Sequence, residues 1–117
     1  MHKFRELQVY QKGMMFDHHI RAVTKTFPKE ELFVLSSQTR RAADSIILNI
    51  AKGAGNNSKQ EFRKFLVYAI RSGYECIACL DIALREMFID EDTFKKLFNE
   101  LDQIIAMLNG FHKSLLR

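Results

Sequence analysis

The sequence contains few residues that interrupt regular secondary structure. It has one proline, five glycines and no tryptophan among 117 residues. Because proline and glycine punctuate chains more strongly than other residues, their scarcity predicts a few long helices rather than many short strands. Ten phenylalanines are many for this length and predict a well-filled core of large side chains.

Cysteine is also scarce, and long apolar runs are missing. Cys76 and Cys79 are too few for the disulfide scaffold of a small secreted protein. The opening stretch "MHKFRELQVYQKG" lacks the apolar core of a signal peptide, and no apolar run approaches the length of a membrane span. We therefore expect a single domain over residues 1–117, located in the cytoplasm and without a membrane partner.

Positive charge is in mild excess and is unevenly distributed. The net charge is +4, with a pI near 9.2. Residues 1–60 hold 10 Lys and Arg against 5 Asp and Glu, whereas residues 61–117 hold 8 against 9. A basic N-terminal half fits a polyanionic partner such as RNA, although an excess of this size is also common in proteins that bind no nucleic acid.

Apolar residues recur at alternating steps of three and four in four segments, which is typical of the core-facing side of bundle helices. The first segment covers about residues 6–27 and stops at Pro28. The second begins just after this proline, with Leu32 among its core-facing residues. "GAGNN" ends it, and we expect Gly53 or Gly55 to take the left-handed cap position.

The third and fourth segments begin with clear N-capping residues. Ser58 and Glu61 have the spacing of a capping box, and the helix that follows is expected to reach about Phe88. Asp90 is the predicted N-cap of the fourth helix. Four helices with short connections predict an all-α fold, an antiparallel up-down-up-down four-helix bundle.

The second and third segments carry more apolar surface than one core-facing stripe requires. Either the core is broad, or these segments form a subunit interface. Contiguous exposed apolar stripes are uncommon on monomers, so we predict a homo-oligomer. We expect Asn49 to make specific hydrogen bonds within or between subunits rather than to read a base. The predicted interface residues are Leu48, Asn49, Val67, Ile70, Tyr74 and Ile77.

Motifs that carry catalysis or bind metals are weak in this sequence. Cys76 and Cys79 lie mid-helix without a second pair, so buried structural thiols are expected. His18 and His19 point to different faces, and no Glu-x-x-His motif of a di-iron bundle occurs. "GAGNNSK" lacks the spacing of a phosphate-binding loop and follows a helix. We predict no enzyme activity, no metal or cofactor, and no small-molecule substrate.

The basic residues are the remaining functional candidates. In an antiparallel pair, Lys52 would approach Lys59, whereas Arg40 and Arg41 would lie nearer Arg71. Such a stripe would bind phosphates with release of counterions. The alternative is a solvated face with local salt bridges, such as Arg40 with Asp44. The predicted RNA contacts are Arg40, Arg41, Lys52, Lys59, Arg63 and Lys64.

Three stretches carry a family resemblance that spans nearly the whole chain. They are "QTRRAADSIILNIAKG" (38–53), "FRELQVYQKG" (4–13) and "TFPKEE" (26–31). The sequence resembles the ribosomal-protein-like four-helix-bundle family encoded in intervening sequences of bacterial 23S ribosomal RNA genes. The resemblance implies an antiparallel bundle that assembles into a five-fold ring. Accessory proteins of diversity-generating retroelements look like a related branch, which binds RNA and a reverse transcriptase through a basic surface.

Two positions depart from the family pattern. The family usually has an acid where Lys52 stands and a glycine where Arg71 stands, so both changes add positive charge. Arg71 also puts a long side chain where a close helix contact is usual. The resemblance and the basic stripe together predict a non-enzymatic homo-oligomer, pentameric by the resemblance, that binds RNA or a ribonucleoprotein. The alternative is an adaptor that binds no nucleic acid and whose arginines are structural.

Overall fold

The computed structural model describes residues 2–116, which form four α-helices with short connections. α2 packs against α1 and most extensively against α3, while α4 packs against α1 and α3. This arrangement confirms the predicted all-α, up-down-up-down bundle. No helix of residues 2–116 is both long and apolar enough to cross a membrane. The helices are α1 (Gln8–Thr24), α2 (Ser37–Ala54), α3 (Lys59–Arg85) and α4 (Glu91–Ser114).

The predicted apolar faces meet in one core that runs the length of the bundle. Gly73 allows α3 to approach α4 closely, because a Cβ built there would lie 2.9 Å from Cγ1 of Ile105. Arg71 is exposed, so its long side chain avoids this contact. The most completely buried large side chains are Phe16, Ile20, Ile46, Ile50, Leu66, Leu80, Leu101, Ile104 and Leu108.

The chain enters α2 through irregular helical turns rather than a regular α-helix. After Pro28 come a 3-10 turn and then a wider π-type turn over Leu32–Ser36. A π turn holds more residues than an α turn, and this shifts which side chains face inward. The core position predicted for Leu32 is therefore wrong, because this side chain is exposed. Its neighbours Phe33 and Val34 are 89% and 62% exposed.

Side chains cap the N-termini of α3 and α4 as predicted. The Ser58 hydroxyl accepts a hydrogen bond from the backbone N–H of Glu61 at 3.2 Å. The Asp90 carboxylate accepts one from the backbone N–H of Thr93 at 2.8 Å, and these Thr93 hydrogen bonds lower the pKa of Asp90. Each cap satisfies a backbone donor that has no partner within its helix.

The predicted left-handed glycine cap at the end of α2 is wrong. No glycine of residues 2–116 has a positive φ, and Gly55 ends the helix at φ −76°. Gly53 has a packing role instead. A Cβ there would lie 2.9 Å from atoms of both Phe62 and Phe65, so the missing side chain lets α2 approach α3.

Met87 holds the left-handed position that ends α3, with φ 61°. Its N–H donates to the carbonyl of Leu84 at 3.0 Å, and the N–H of Phe88 donates to the carbonyl of Ala83 at 2.8 Å. These two bonds form the Schellman motif, in which glycine is the usual left-handed residue. A methionine here strains the backbone, because its Cβ crowds the following carbonyl.

We expect Met87→Gly to raise the free energy of unfolding by about 1 kcal/mol, since glycine adopts this conformation without the steric penalty. Met87→Ala is the matched control, because it shortens the exposed side chain yet keeps the Cβ, and it should leave stability nearly unchanged. Urea unfolding followed by circular dichroism measures both. Equal stabilities for the glycine and alanine variants would contradict the assignment of strain to the Cβ.

Candidate nucleic-acid interface

The turn between α2 and α3 brings four of the predicted RNA contacts together. Lys52 lies in the last turn of α2, Lys59 begins α3, and Arg63 and Lys64 follow within its first two turns. The three lysines are exposed and Arg63 is half-buried. Because α2 approaches α3 closely at Gly53, these side chains surround one end of the bundle. We call the four residues the basic end.

Arg63 and Lys64 of the basic end make contacts within the subunit. Arg63 Nη1 donates to the carbonyl of Leu115 at 3.0 Å. This carbonyl lies at the C-terminus of α4, where the helix dipole favours a positive charge. Lys64 Nζ lies 2.9 Å from a Glu61 carboxylate oxygen, and this hydrogen bond raises the pKa of Lys64. Exposed ion pairs contribute little stability, so Lys64 can exchange Glu61 for a phosphate. Arg63 has a structural role as well.

Arg40 and Arg41 lie toward the other end of α2, so the six predicted contacts do not form one compact cluster. Eleven helical residues, roughly 16 Å, separate Arg41 from Lys52. Arg40 Nε donates to the Thr24 hydroxyl at 2.8 Å and joins α2 to the end of α1. The predicted surface pair of Arg40 with Asp44 is wrong, because the Thr24 contact draws the guanidinium toward α1.

Arg41 is exposed and lines an open cavity of about 430 Å³. Phe33, Val34, Gln38 and Glu75 line the same cavity. Exposed apolar side chains and a carboxylate surround Arg41 here, which suits a protein contact better than a phosphate. This apolar pair was missed from the sequence, although the steps of three and four that place Leu35 in the core leave both side chains facing outward.

A polar seam separates the outer surfaces of α2 and α3. The Ser72 hydroxyl donates to the Ser45 hydroxyl at 2.8 Å. The Asn49 amide donates to the carbonyl and hydroxyl of Ser45 at 2.8 and 3.0 Å, so Asn49 is hydrogen-bonded within the subunit. One helical turn from Ser45 and Ser72, toward the basic end, Leu48 and Tyr68 are 55% and 40% exposed. We call these five residues the seam.

The predicted interface residues on α3 divide by burial. Ile70 is only 8% exposed and belongs to the subunit's own core, so its assignment to an interface is wrong. The orientation of α3 turns this side chain inward. Val67 and Ile77 are half-buried, whereas Tyr74 is 55% exposed. Tyr74 lies about 120° around α3 from Tyr68, so it faces away from the seam.

A charged cluster that sequence reasoning missed joins α1 to α2. Arg21 Nε donates to Asp17 at 3.0 Å, and Arg21 Nη2 donates to both oxygens of Asp44 at 2.8 Å. The second oxygen of Asp17 is buried without a hydrogen-bond partner. Burial and the neighbouring Asp44 raise the pKa of Asp17 from 3.8 to about 6. A proton on Asp17 would donate to Asp44 and satisfy the unpartnered oxygen.

Because the pKa of Asp17 is raised, this cluster lowers the stability of the folded chain above pH 6. The folded chain holds the proton more tightly than the unfolded chain, so stability falls as the pH rises from 3.8 to about 6 and stays lower above it. We expect Asp17→Asn to raise the free energy of unfolding by about 1 to 2 kcal/mol at pH 7.5, with little change at pH 4. Thermal unfolding at the two pH values measures this.

Asp44→Asn is the matched control, since it removes the same charge from the same cluster. Burial acts to raise the pKa of Asp44, but hydrogen bonds with Asp17 and Arg21 hold the pKa below its usual value. At pH 5, where Asp17 still holds its proton, this substitution removes both hydrogen bonds and should therefore destabilise the protein. If both variants change stability in the same direction, the assigned roles of the two carboxylates are wrong.

The cysteines and one histidine were the other candidates for chemistry. Cys76 and Cys79 are buried free thiols, and burial raises the pKa of both, which disfavours the reactive thiolate. His19 Nδ1 lies 2.8 Å from a Glu100 oxygen beside an open cavity of about 410 Å³. Within residues 2–116, no three His, Cys, Asp or Glu side chains are grouped to hold a metal ion.

A family model and a solved structure both match this chain. The model of the family described as 23S rRNA-intervening sequence protein matches residues 5–110. The chain is similar to a crystal structure of a protein of unknown function from the S23 ribosomal protein family of Bacteroides thetaiotaomicron. The TM-score is 0.84 at 24% identity, over 90% of this chain and 98% of that chain, which establishes a shared fold. No curated protein matches.

Proposed function

The chain belongs to the 23S rRNA-intervening sequence protein family, and on this premise we propose that it is a non-enzymatic protein that binds RNA or a ribonucleoprotein through its basic end. The observation that carries the proposal is the clustering of Lys52, Lys59 and Lys64 around one short turn, all exposed. Exposed lysines neutralise phosphates as point charges and release condensed counterions.

The exposure of Lys52 and Lys64 supports phosphate contacts at the basic end. Lys52 lies across the α2–α3 turn from Lys64. The ion pair of Lys64 with Glu61 is exposed and therefore weak. The positive end of the α3 helix dipole also lies at this turn and adds to the attraction for phosphate.

Equilibrium binding to a fluorescently labelled RNA, at salt concentrations from about 50 to 200 mM, tests the proposal. Three lysine contacts predict a log–log salt slope of about −2 for a single strand. The expected result is binding that weakens along this slope. A chain that binds no RNA at the lowest salt concentration, or whose affinity is independent of salt, would overturn the proposal.

A second proposal, homo-oligomeric assembly, is favoured by the exposed apolar side chains. Phe33 and Val34 are among the more exposed large apolar residues of the described chain, and they are adjacent on one turn. Tyr74 presents a second exposed surface, beside half-buried Val67 and Ile77. A ring is closed by contacts between two different surfaces, and these two surfaces fit that requirement. A pentamer follows the family resemblance.

A further inference from the structure

We propose that the seam binds single-stranded RNA, with one unpaired base stacked on the ring of Tyr68. This inference rests on the RNA-binding function proposed above and names its ligand class and a specific contact. Exposed aromatic rings beside lysine and arginine are how proteins bind single strands without reading their sequence, since every base has a flat face that can stack.

The Tyr68 ring is exposed, yet a neighbouring ring holds it in a fixed orientation. It is 40% exposed and meets the Phe65 ring edge to face, with centroids 5.7 Å apart and an interplanar angle of 89°. Phe65 is in turn held by the close approach of α3 to α2 at Gly53. A ring fixed in this way loses little conformational freedom when a base stacks on it.

Cationic side chains flank Tyr68 on both sides along α3. Lys64 lies one turn before it, with Nζ 5.3 Å from the Phe65 ring centre, and Arg71 lies nearly one turn after it. Both are exposed. Seven helical residues separate them, about 10 Å, which matches roughly three nucleotide steps of a stacked strand. Lys52 lies across the turn and extends this track to α2.

The apolar surface beside Tyr68 favours an unpaired base over a duplex. Leu48 is 55% exposed on the facing side of the seam, where an apolar group can contact the flat surface of a base but not a phosphate. In an A-form duplex the bases are stacked on one another, and the deep narrow major groove excludes side chains. We therefore assign Leu48 to the RNA surface rather than to the predicted subunit interface.

Three variants test the contact by fluorescence anisotropy on a short single strand of about 12 nucleotides and on the same strand annealed to its complement. Tyr68→Ala should weaken single-strand binding about tenfold and leave duplex binding unchanged. Tyr68→Phe keeps the ring and should bind as the wild type does. Met15→Ala removes an exposed apolar side chain on α1, outside the seam and the proposed subunit contacts, and is the matched control. Circular dichroism establishes that each variant is folded.

Tyrosine emission gives a second reading, because the chain has three tyrosines and no tryptophan. Single-stranded RNA should quench this emission in the wild type, and Tyr68→Phe should abolish most of the quenching while it preserves the affinity. Leu48→Asp should reduce RNA affinity without changing the mass in solution.

The outcomes separate this inference from the proposed function. Normal RNA binding by Tyr68→Ala, or equal affinity of the wild type for single strand and duplex, overturns the stacking contact and leaves the basic end intact. A lower mass for Leu48→Asp returns this residue to a subunit contact and overturns its place on the RNA surface. Absence of binding to both RNAs overturns both proposals.

Discussion

Reversal of charge at Lys52 and Lys64 together should weaken RNA binding by about a hundredfold at roughly 100 mM salt. Each lysine that contacts a phosphate contributes through counterion release, and a glutamate in its place repels the strand. The log–log salt slope on a single strand should also become shallower by about 0.7 units for each lysine that no longer binds a phosphate. Anisotropy titrations of Lys52→Glu/Lys64→Glu at several salt concentrations measure both effects.

Lys95→Glu/Lys96→Glu is the matched control for the change in net charge. Both lysines are exposed in the first turns of α4, at the opposite end of the bundle from the α2–α3 turn. This variant has the same net charge as the first but keeps the basic end, and its affinity should fall by less than about threefold. If both double variants weaken binding equally, binding depends on total charge, and the basic end is not a site.

Acidic substitutions at Phe33 and Val34 should dissociate the proposed homo-oligomer into monomers of 13.7 kDa. A carboxylate buried at a subunit contact suffers a large desolvation penalty, whereas it is readily hydrated on a free surface. Phe33→Asp/Val34→Asp should therefore lower the mass in solution without lowering the stability of the subunit. Light scattering coupled to size exclusion measures the mass.

The control for this experiment is Met14→Asp/Met15→Asp. These side chains form another adjacent exposed apolar pair, on α1. The control should keep the mass of the wild type. A wild-type chain that is monomeric at micromolar concentration would contradict assembly, and dissociation by the methionine variant alone would place the contact on α1.

The four helices could be predicted because their signals are local. Apolar residues at steps of three and four fix a core-facing side, and Ser58 and Asp90 cap helices with hydrogen bonds to residues three positions ahead. The π-type turn at Leu32 could not be predicted in this way. Its geometry depends on how the chain after Pro28 packs, including the contact of Phe27 with Phe88 at 5.7 Å between ring centres.

Part of the candidate site could also be predicted, because its signals are local in the sequence. Lys52 and Lys59 flank a short turn, so their proximity follows from the chain itself. The contact of Arg40 with Thr24 depends on the register between α1 and α2, which a repeat of apolar residues does not specify. The burial of Ile70 likewise depends on the rotation of α3 against α4. The rise in the pKa of Asp17 reflects burial of a polar residue on a core-facing side.

Photocrosslinking of bound RNA to the wild-type chain, with the crosslinked peptides mapped by mass spectrometry, locates the RNA on the protein. We expect crosslinks concentrated between Leu48 and Arg71, with Tyr68 among the modified residues. Crosslinks concentrated instead on the turn around Phe33 and Arg41, or on α4, would contradict the assignment of RNA binding to the basic end and the seam.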